Sequence, residues 1–389
     1  MPQKIVISSN RTTPVSVLET GSELIVNKGV TLSTPSTAIV ATGTATGRDF
    51  YINGAVTSAS GYVVRFGATS VADSQSQFVV STSGKVSGGD YGLKIDSGGL
   101  ELSNAGTIEA RMTAVTAVGK ETHLVNSGLI TSSAGIGIAV SGSAASIINH
   151  STVHAETTGV QLSGTAAGFT NNGEVRSYSS SAVVSSGHAV VLTNHGTLIA
   201  KGIALLSSGA AAIVTNDGKT TSTVSYAIKA TGDTATITNS GTVGATKTAI
   251  VLTGDNGIIT NDGLIKSSAY AIAVSADDAI ITNNKTITAG GGVKLTGADG
   301  TLANHGTITG TVSAAAAVDF AGASKSSLHN TGLISAKALA FLGGEGVQSV
   351  FNSGTITGTI KLGGGNDFLT APAARSTTPW RVAQATMSM

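Results

Sequence analysis

Hydrophobic and polar residues alternate in short runs along most of this chain, and the runs recur around a repeated asparagine. The stretch ITNSGTV at 237–243 is typical, and LVNSGLI at 124 and IITNDGLI at 258 follow the same plan. Two positions before the asparagine the residue is apolar in all twelve copies, and four positions after it the residue is aliphatic in eleven. Because the residue three positions after it is Thr, Leu, Glu or Lys, the alternation has period 2 and predicts β-strands.

The asparagines recur at an almost constant interval of 21 to 26 residues, most often 22 or 23. They are Asn104, Asn126, Asn149, Asn171, Asn194, Asn216, Asn239, Asn261, Asn283, Asn304, Asn330 and Asn352. Two more short apolar runs, such as IVL at 250 and AII at 279, lie between consecutive asparagines. Strands that repeat at one fixed period stack as coils. The prediction is an all-β fold, a single-stranded right-handed parallel β-helix (β-solenoid) with about 22 residues and three short strands per coil.

Each part of the repeated motif has an expected role in such a coil. The two aliphatic residues point inward and form ladders with their equivalents about 4.8 Å above and below. The glycine two positions after the asparagine is expected to allow a turn that a Cβ would strain. The asparagines are expected to stack at one corner and to exchange amide hydrogen bonds along the stack. The twelve asparagines are therefore expected to have a structural and not a catalytic role.

The regularity of the motif divides the chain into three predicted regions. Residues 1–100 carry looser copies with longer loops, which predicts an N-terminal cap and irregular opening coils, because a solenoid has to cover its terminal strands. Residues 101–369 are predicted to form the regular solenoid. Residues 370–389 leave the pattern, are rich in Ala, Ser, Thr and Pro, and are predicted to be a flexible C-terminal tail.

Composition and charge exclude several classes of function. Charged residues are 11% of the chain and the net charge is +1, so no nucleic-acid partner is expected. The absence of cysteine excludes thiolate nucleophiles, disulfides and cysteine-based zinc sites. The chain contains no run of about 18 apolar residues, so no transmembrane helix is predicted. The N-terminal sequence MPQKIVISSNRTTP lacks an apolar signal core, so a classical signal peptide is expected to be absent or already removed.

The last repeats resemble a known group of proteins. The sequence NSGTITGTIKLGGGNDFLT at 352–370 is similar to the end of the repeat region in bacterial autotransporter passengers and hemolysin-type (RTX) surface proteins, and the N-x-G-x-I repeats resemble those passengers over roughly residues 100–370. GGGNDFL matches the later half of the G-G-x-G-x-D-x-L calcium nonapeptide, in one copy and without a following translocator barrel. The resemblance implies export, a β-helical fold and an adhesive or biofilm-forming role.

Calcium is the one cofactor that the sequence suggests, at two candidate sites. The resemblance implies a calcium turn at Gly363, Gly365, Asn366 and Asp367, for which a glycine-rich closing turn is the alternative. Separately, Asp233, Asp255, Asp277 and Asp299 are spaced by 22 residues each, which predicts one column at one corner, about 5 Å apart. Two interpretations of this row stay open: a hydrated turn that favours Asp for its local backbone hydrogen bonds, or carboxylates bridged by cations.

Catalysis is not expected from this sequence. Polysaccharide lyases and hydrolases on parallel β-helices need carboxylates clustered with each other or with a basic residue, and usually aromatic platforms. No column of the repeat combines acidic, basic and aromatic residues. His150, His195 and His305 each follow a repeated asparagine, lie two or more coils apart, and are expected to be exposed turn residues.

The predicted function is structural or adhesive: an extracellular or cell-surface β-solenoid that acts in surface adhesion, a biofilm matrix or filament assembly. The predicted partners are copies of the same chain, which associate end to end or side by side, and a cell-surface or extracellular glycan or protein ligand. The alternative function is a glycan-binding or glycan-cleaving β-helix similar to a phage tail spike.

Overall fold

The computed structural model describes residues 1–68, 73 and 75–370, and these residues form β-strands and no helix. The predicted tail lies outside the described residues, apart from Thr370. The chain divides into two compact units, residues 1–201 and 202–389.

The first unit contains strands β1 to β25. Their bounds are β1 Lys4–Ile7, β2 Val15–Ser16, β3 Glu23–Val26, β4 Thr31–Thr34, β5 Ile39–Thr42, β6 Asp49–Ile52, β7 Ala55–Ser58, β8 Tyr62–Gly67, β9 Gln77–Val80, β10 Lys85–Gly88, β11 Tyr91–Ile95, β12 Glu101–Asn104, β13 Thr107–Ala110, β14 Thr113–Ala117, β15 His123–Asn126, β16 Leu129–Ser132, β17 Ile136–Val140, β18 Ser146–Asn149, β19 Thr152–Ala155, β20 Val160–Leu162, β21 Gly168–Asn171, β22 Glu174–Ser177, β23 Val183–Ser185, β24 Val191–Asn194 and β25 Thr197–Ala200.

The second unit contains strands β26 to β44. Their bounds are β26 Leu205–Ser207, β27 Ile213–Asn216, β28 Lys219–Ser222, β29 Ile228–Ala230, β30 Thr236–Asn239, β31 Thr242–Ala245, β32 Ile250–Leu252, β33 Ile258–Asn261, β34 Leu264–Val274, β35 Ile280–Asn283, β36 Thr286–Leu295, β37 Gly300–Asn304, β38 Thr307–Gly310, β39 Val318–Asp319, β40 Lys325–Asn330, β41 Leu333–Leu342, β42 Val347–Asn352, β43 Thr355–Lys361 and β44 Phe368–Thr370.

In the first unit each regular coil contributes three strands, and within the unit these strands pair in parallel with their equivalents in the neighbouring coils. The strands that end at a repeated asparagine form one sheet, and the other two strand types form a second sheet. β12 pairs with β15, and β15 with β18, residue for residue. From Asn104 to Asn194 the interval is 22 or 23 residues. The earlier strands are also parallel, as in the pairing of β3 with β6.

The second unit repeats this plan. β30 pairs with β33, and β33 with β35, again in parallel and in register. The intervals from Asn216 to Asn352 run from 21 to 26 residues. In β34, β36 and β41 the second and third strands of the coil merge into one strand of 10 or 11 residues. The predicted all-β parallel solenoid with coils of about 22 residues is therefore confirmed.

The inward columns form the core in both units. All twelve residues two positions before the repeated asparagines are at most 2% exposed. In the column four positions after them, the one polar residue, Thr220, is fully buried and donates its hydroxyl to Asn216 Oδ1 at 2.8 Å. This hydrogen bond explains how a threonine fits among aliphatic neighbours, because a buried hydroxyl without a partner is costly.

Early coils of the first unit contain a cluster of three buried phenylalanines. The ring of Phe50 packs against Phe66 at 5.2 Å and against Phe78 at 5.6 Å between centroids. The fully buried Arg48 guanidinium lies 4.8 Å from the centre of the Phe66 ring and 4.0 Å from the carboxylate of Asp73. Burial lowers the pKa of Arg48, and the Asp73 carboxylate opposes this shift. Asp73 is thus the counter-ion that makes a buried arginine tolerable.

Candidate functional site

The repeated asparagines of the first unit form a buried side-chain ladder. Each amide nitrogen Nδ2 donates to the Oδ1 of the asparagine one coil later, from Asn104 through Asn194, at 2.7–2.8 Å. The same nitrogen also donates to backbone: Asn126 Nδ2 lies 3.2 Å from the carbonyl oxygen of Gly128 and 3.1 Å from that of Thr152. Both N–H groups of an inner amide therefore have acceptors, and the amide ties its own turn to the next coil.

The second unit contains an equivalent ladder. The Nδ2-to-Oδ1 distances from Asn216 through Asn352 are 2.6–2.8 Å. Six of these seven side chains are at most 1% exposed, and Asn352 is 7% exposed. Hydrogen bonds between buried neutral groups stabilise a fold by about 1 kcal/mol each. The ladder fixes the register because a one-residue slip would remove the asparagines from one another.

The glycine two positions after the asparagine has a different role from the expected one. It was expected to allow a backbone turn forbidden to other residues, but Gly128 and Gly263 do not have positive φ. A Cβ added to Gly263 would lie 2.6 Å from the carbonyl carbon of Ser240 in the preceding coil, and closer still to the carbonyl oxygen of Gly241. Glycine thus fills this position in ten of the twelve coils because consecutive coils approach each other closely there, and Ser151 and Lys285 fill it in the other two.

Positive φ occurs instead at another corner, at one residue other than glycine in each of nine coils. In the first unit Glu121, Ala144, Ala166 and Ala189 have φ of 54–56°, and in the second unit Ala211, Thr234, Asn256, Asp278 and Asp299 have φ of 53–56°. The left-handed conformation points the N–H of the residue towards the next coil: Thr234 N donates to the carbonyl oxygen of Asp255, and Asn256 N to that of Asp277, at 2.8 and 3.0 Å. Because no glycine marks this turn in these nine coils, the turn was not predicted.

The aspartate row lies beside this left-handed turn. Asp233 Oδ1 accepts the backbone N–H of Asp255 at 3.0 Å, Asp255 Oδ1 accepts that of Asp277 at 2.9 Å, and Asp277 Oδ1 accepts that of Ala298 at 2.6 Å. Each carboxylate thus accepts a backbone N–H of the next coil at a turn, where no strand pairing provides an acceptor. This arrangement matches the turn interpretation, in which Asp is used for backbone hydrogen bonding.

Asp299 does not belong to this row, which corrects the prediction of four aligned aspartates. Asn283 and Asn304 are 21 residues apart, so a spacing of 22 slips by one position in that coil. Asp299 is therefore equivalent to Asp278, with the same positive φ of 53°. Its Oδ1 lies 2.5 Å from the Nζ of Lys325. A constant interval in the sequence indicates a column only where the coil length is constant.

The glycine-rich turn at the end of the second unit has the backbone expected of a tight turn. Gly363 and Gly365 have φ of 95° and 100°. Asp367 Oδ1 accepts the backbone N–H of Gln348 at 2.9 Å, and its buried Oδ2 has no hydrogen-bond partner among the described residues. Asn366 is exposed. Within residues 1–68, 73 and 75–370, no group of three or more His, Asp or Glu side chains is placed to hold a metal ion.

Calcium dependence of stability distinguishes the two interpretations of these aspartates. We expect the wild type, Asp367→Ala and the double variant Asp255→Asn, Asp277→Asn each to melt at the same temperature with calcium as with chelator. The reason is that one oxygen of each carboxylate already accepts a backbone N–H. The measurement is thermal melting followed by circular dichroism. A calcium-induced rise that the double variant loses would establish the cation row, and one that Asp367→Ala loses would place calcium at the turn.

Four titratable side chains come together on the outer face of the first unit. On β19 and β22, His154 Nε2 lies 3.0 Å from Glu174 Oε1, and Arg176 Nε donates to the same oxygen at 2.9 Å. The hydroxyl of Tyr178 lies 3.5 Å from His154 Nδ1, and the two rings meet edge to face at 5.9 Å. An acid, two basic groups and an aromatic ring are thus adjacent. The cluster was not predicted from the sequence because Glu174 and Tyr178 lie outside the column that His154 and Arg176 share.

The Arg176 guanidinium, with a contribution from His154, holds the pKa of Glu174 below its ordinary value, against the opposing effect of partial burial. Because the pKa is lower in the folded state, Glu174 stabilises the fold at pH values above the pKa that it has in the unfolded chain. This stabilisation is lost as the pH falls through the pKa that Glu174 has in the folded state. We expect NMR titration to give a Glu174 pKa below 4.5, the ordinary value, and a higher value in Arg176→Gln. An unchanged pKa in that variant would show that the Arg176 contact is not formed in solution.

The second unit has a smaller outer cluster around Asp319. Tyr270 donates its hydroxyl to Asp319 Oδ2 at 2.7 Å, and Lys294 Nζ lies 3.5 Å from the same oxygen. Burial, together with the Asp319 carboxylate, raises the pKa of the Tyr270 hydroxyl. Lys294 Nζ also lies 5.5 Å from the centre of the Tyr270 ring. The three side chains satisfy one another, so the cluster joins three coils and leaves no charge without a partner.

An open groove runs along the second unit at the corner between the second and third strands. Small and hydroxyl-bearing residues line it together with one lysine: Thr221, Ser222, Thr223, Gly244, Ala245, Thr246, Lys266, Ser267, Ser268, Thr288, Ala289 and Thr311. Because the groove is open and shallow, it lacks the enclosure that is typical of small-molecule sites. The three histidines expected at turns, His150, His195 and His305, are exposed.

No helix in residues 1–68, 73 and 75–370 is long and apolar enough to cross a membrane. No protein-family model, no curated protein and no solved structure matches this chain.

Proposed function

We propose that this protein is a structural and adhesive β-solenoid of the bacterial surface or the extracellular matrix. The observation that supports the proposal is the use of the buried polar groups: in each unit the asparagine amides join successive coils to one another. Hydrogen bonds that recur from coil to coil stabilise the whole solenoid, and they do not distinguish one coil as a binding or catalytic site. The likeness of the repeats to autotransporter passengers supports export to the cell surface.

The outer face of the second unit supports association with other surfaces. Ile213, Ile258 and Ile280 occupy one outward column and are 39–49% exposed. Thr236 lies between Ile213 and Ile258 in this column, and the exposed aliphatic side chains around it provide apolar area for contact with a partner or a second copy. In this proposal, side-by-side contact between copies contributes to matrix or filament assembly.

The proposal is tested on intact cells that carry the gene. Antibody labelling and protease treatment of whole cells should detect the chain outside the membrane, and deletion of the gene should reduce attachment to surfaces. A chain found only inside the cell, or deletion without effect on attachment and biofilm mass, would contradict the proposal.

The second candidate function is a glycan-cleaving β-helix, and the cluster of His154, Glu174, Arg176 and Tyr178 favours it. This cluster combines acidic, basic and aromatic groups within hydrogen-bond distance, which is the requirement for acid–base chemistry on a sugar. Release of reducing ends or of unsaturated sugars from a panel of polysaccharides, abolished in His154→Gln, would establish the enzyme. No release from any of them would leave the structural role as the function.

A further inference from the structure

A patch of tyrosines and cations lies on the outer face of the first unit, on β8 and β11. The rings of Tyr62 and Tyr91 stack with centroids 4.8 Å apart and planes inclined by 25°. Beside them Arg65 and Lys94 are paired in register on the same two strands. The guanidinium carbon of Arg65 and the Nζ of Lys94 each lie 5.7 Å from the centre of the Tyr62 ring. Two aromatic rings and two cations therefore share one small area in a chain that is poor in both.

The positive charge of this patch is incompletely neutralised. Lys94 Nζ pairs with Asp96 Oδ1 at 3.3 Å. Arg65 has no carboxylate partner among the described residues, and its buried Nε forms no hydrogen bond to them. An anion bound beside Arg65 would give its guanidinium the anionic partner that it lacks among the described residues.

We propose that Tyr62, Arg65, Tyr91 and Lys94 form a binding site for an acidic polysaccharide, one whose sugars carry carboxylate or sulfate groups. The guanidinium of Arg65 presents paired N–H donors that suit a planar carboxylate or a sulfate. The tyrosines supply apolar ring surface and hydroxyl groups at the same place, which is what a sugar ring with hydroxyls requires.

The repeat geometry favours a polymer over a small anion. Thr113 and Thr116 follow Tyr91 and Lys94 in the same outward columns on the next coil. Consecutive coils are about 4.8 Å apart, close to the length of one sugar ring in an extended chain. A polysaccharide that runs along the coils would therefore meet equivalent columns with successive sugars, with an acidic group at Arg65 and Lys94. The site belongs to the first unit alone and does not depend on the adhesive role proposed above.

Binding of the purified full-length chain to defined polymers tests the site. The probes are oligogalacturonate for carboxylate, heparin oligosaccharide for sulfate, and dextran as a neutral sugar, measured by isothermal titration calorimetry at moderate salt. We expect one or both acidic sugars to bind and dextran not to bind. Absence of binding by both acidic sugars would overturn the proposal. Equal binding of single-stranded DNA would overturn it as well, because it would show a general attraction for polyanions.

Four variants localise the binding. Arg65→Gln and Lys94→Gln should each weaken binding at least tenfold, and Tyr62→Leu should weaken it several-fold without changing the charge. The matched control is Lys229→Gln, which removes a cation from the outward position of the equivalent third strand, where its in-register neighbours are Leu206 and Val251. Since all four side chains point outward, melting temperatures should stay close to that of the wild type. Equal losses in Lys229→Gln and Arg65→Gln, or full binding by both Arg65→Gln and Lys94→Gln, would contradict the site.

Discussion

Replacement of Asn261 by leucine should lower the free energy of unfolding by about 2–5 kcal/mol. Asn261 is fully buried, accepts a hydrogen bond from Asn239 Nδ2 and donates one to Asn283 Oδ1, both at 2.8 Å. Leucine has a similar volume but leaves one donor above and one acceptor below without partners. Each buried polar group that loses its partner costs about 1–3 kcal/mol. The measurement is unfolding in urea followed by circular dichroism.

The matched control is Asn352→Leu at the end of the same ladder. Asn352 accepts from Asn330 Nδ2 at 2.6 Å, and among the described residues its own amide donates to the carbonyl oxygen of Gly354 alone, within its own turn. Only one neighbouring group then loses a partner, so the expected loss is at most half that of Asn261→Leu. Equal losses at the two positions would mean that the asparagines stabilise their own turns and do not act as a ladder.

Replacement of Gly263 by alanine should destabilise the second unit by about 1–3 kcal/mol. The new Cβ would lie 2.6 Å from the carbonyl carbon of Ser240, and that carbon is backbone that cannot rotate away. The two coils would have to separate at this corner, which strains the adjacent hydrogen bonds, and overpacking of this kind costs about 1–3 kcal/mol or more. The free energy of unfolding in urea again provides the measurement.

Gly244→Ala provides the control in the same unit. A Cβ at Gly244 meets nothing closer than the hydroxyl oxygen of Thr221, at 3.9 Å, and its φ is not positive. We expect this variant to be as stable as the wild type or slightly more stable, because alanine reduces the freedom of the unfolded chain. A similar loss in both variants would show that the close approach at Gly263 is not the cause.

The sequence predicted the coil because the signal recurs. A period-2 alternation that returns twelve times around an asparagine specifies parallel strands, their register and the inward columns such as that of Ile259. The asparagine ladder was predictable for the same reason: a polar residue that recurs at every coil meets its own copies. The structural reason for the glycine was not predictable, since the separation of two backbones at one corner is a property of the stacked coils.

The outer clusters were harder to predict because they form across columns and only once. His154 and Glu174 are 20 residues apart, which is not a coil length, and they meet because one is two positions further along its strand than the other. Tyr62 and Tyr91 are paired in register across the irregular early coils, where no constant period reveals the pairing. The prediction for the aspartate row was wrong at Asp299 for a different reason. One coil has 21 residues, so a constant spacing of 22 does not place Asp299 in the column of the other three aspartates.

The most direct test of the central claim, parallel coils stacked in register every 22 or 23 residues, uses pairs of introduced cysteines. The chain contains no cysteine, so Thr238→Cys with Thr260→Cys gives one pair at in-register positions on adjacent coils, about 4.8 Å apart. Thr238→Cys with Thr282→Cys gives a pair two coils apart, at about 10 Å. A short bifunctional thiol reagent should join the first pair within one chain and leave the second pair unlinked. Equal linking of both pairs, or linking of the second pair alone, would contradict the coil.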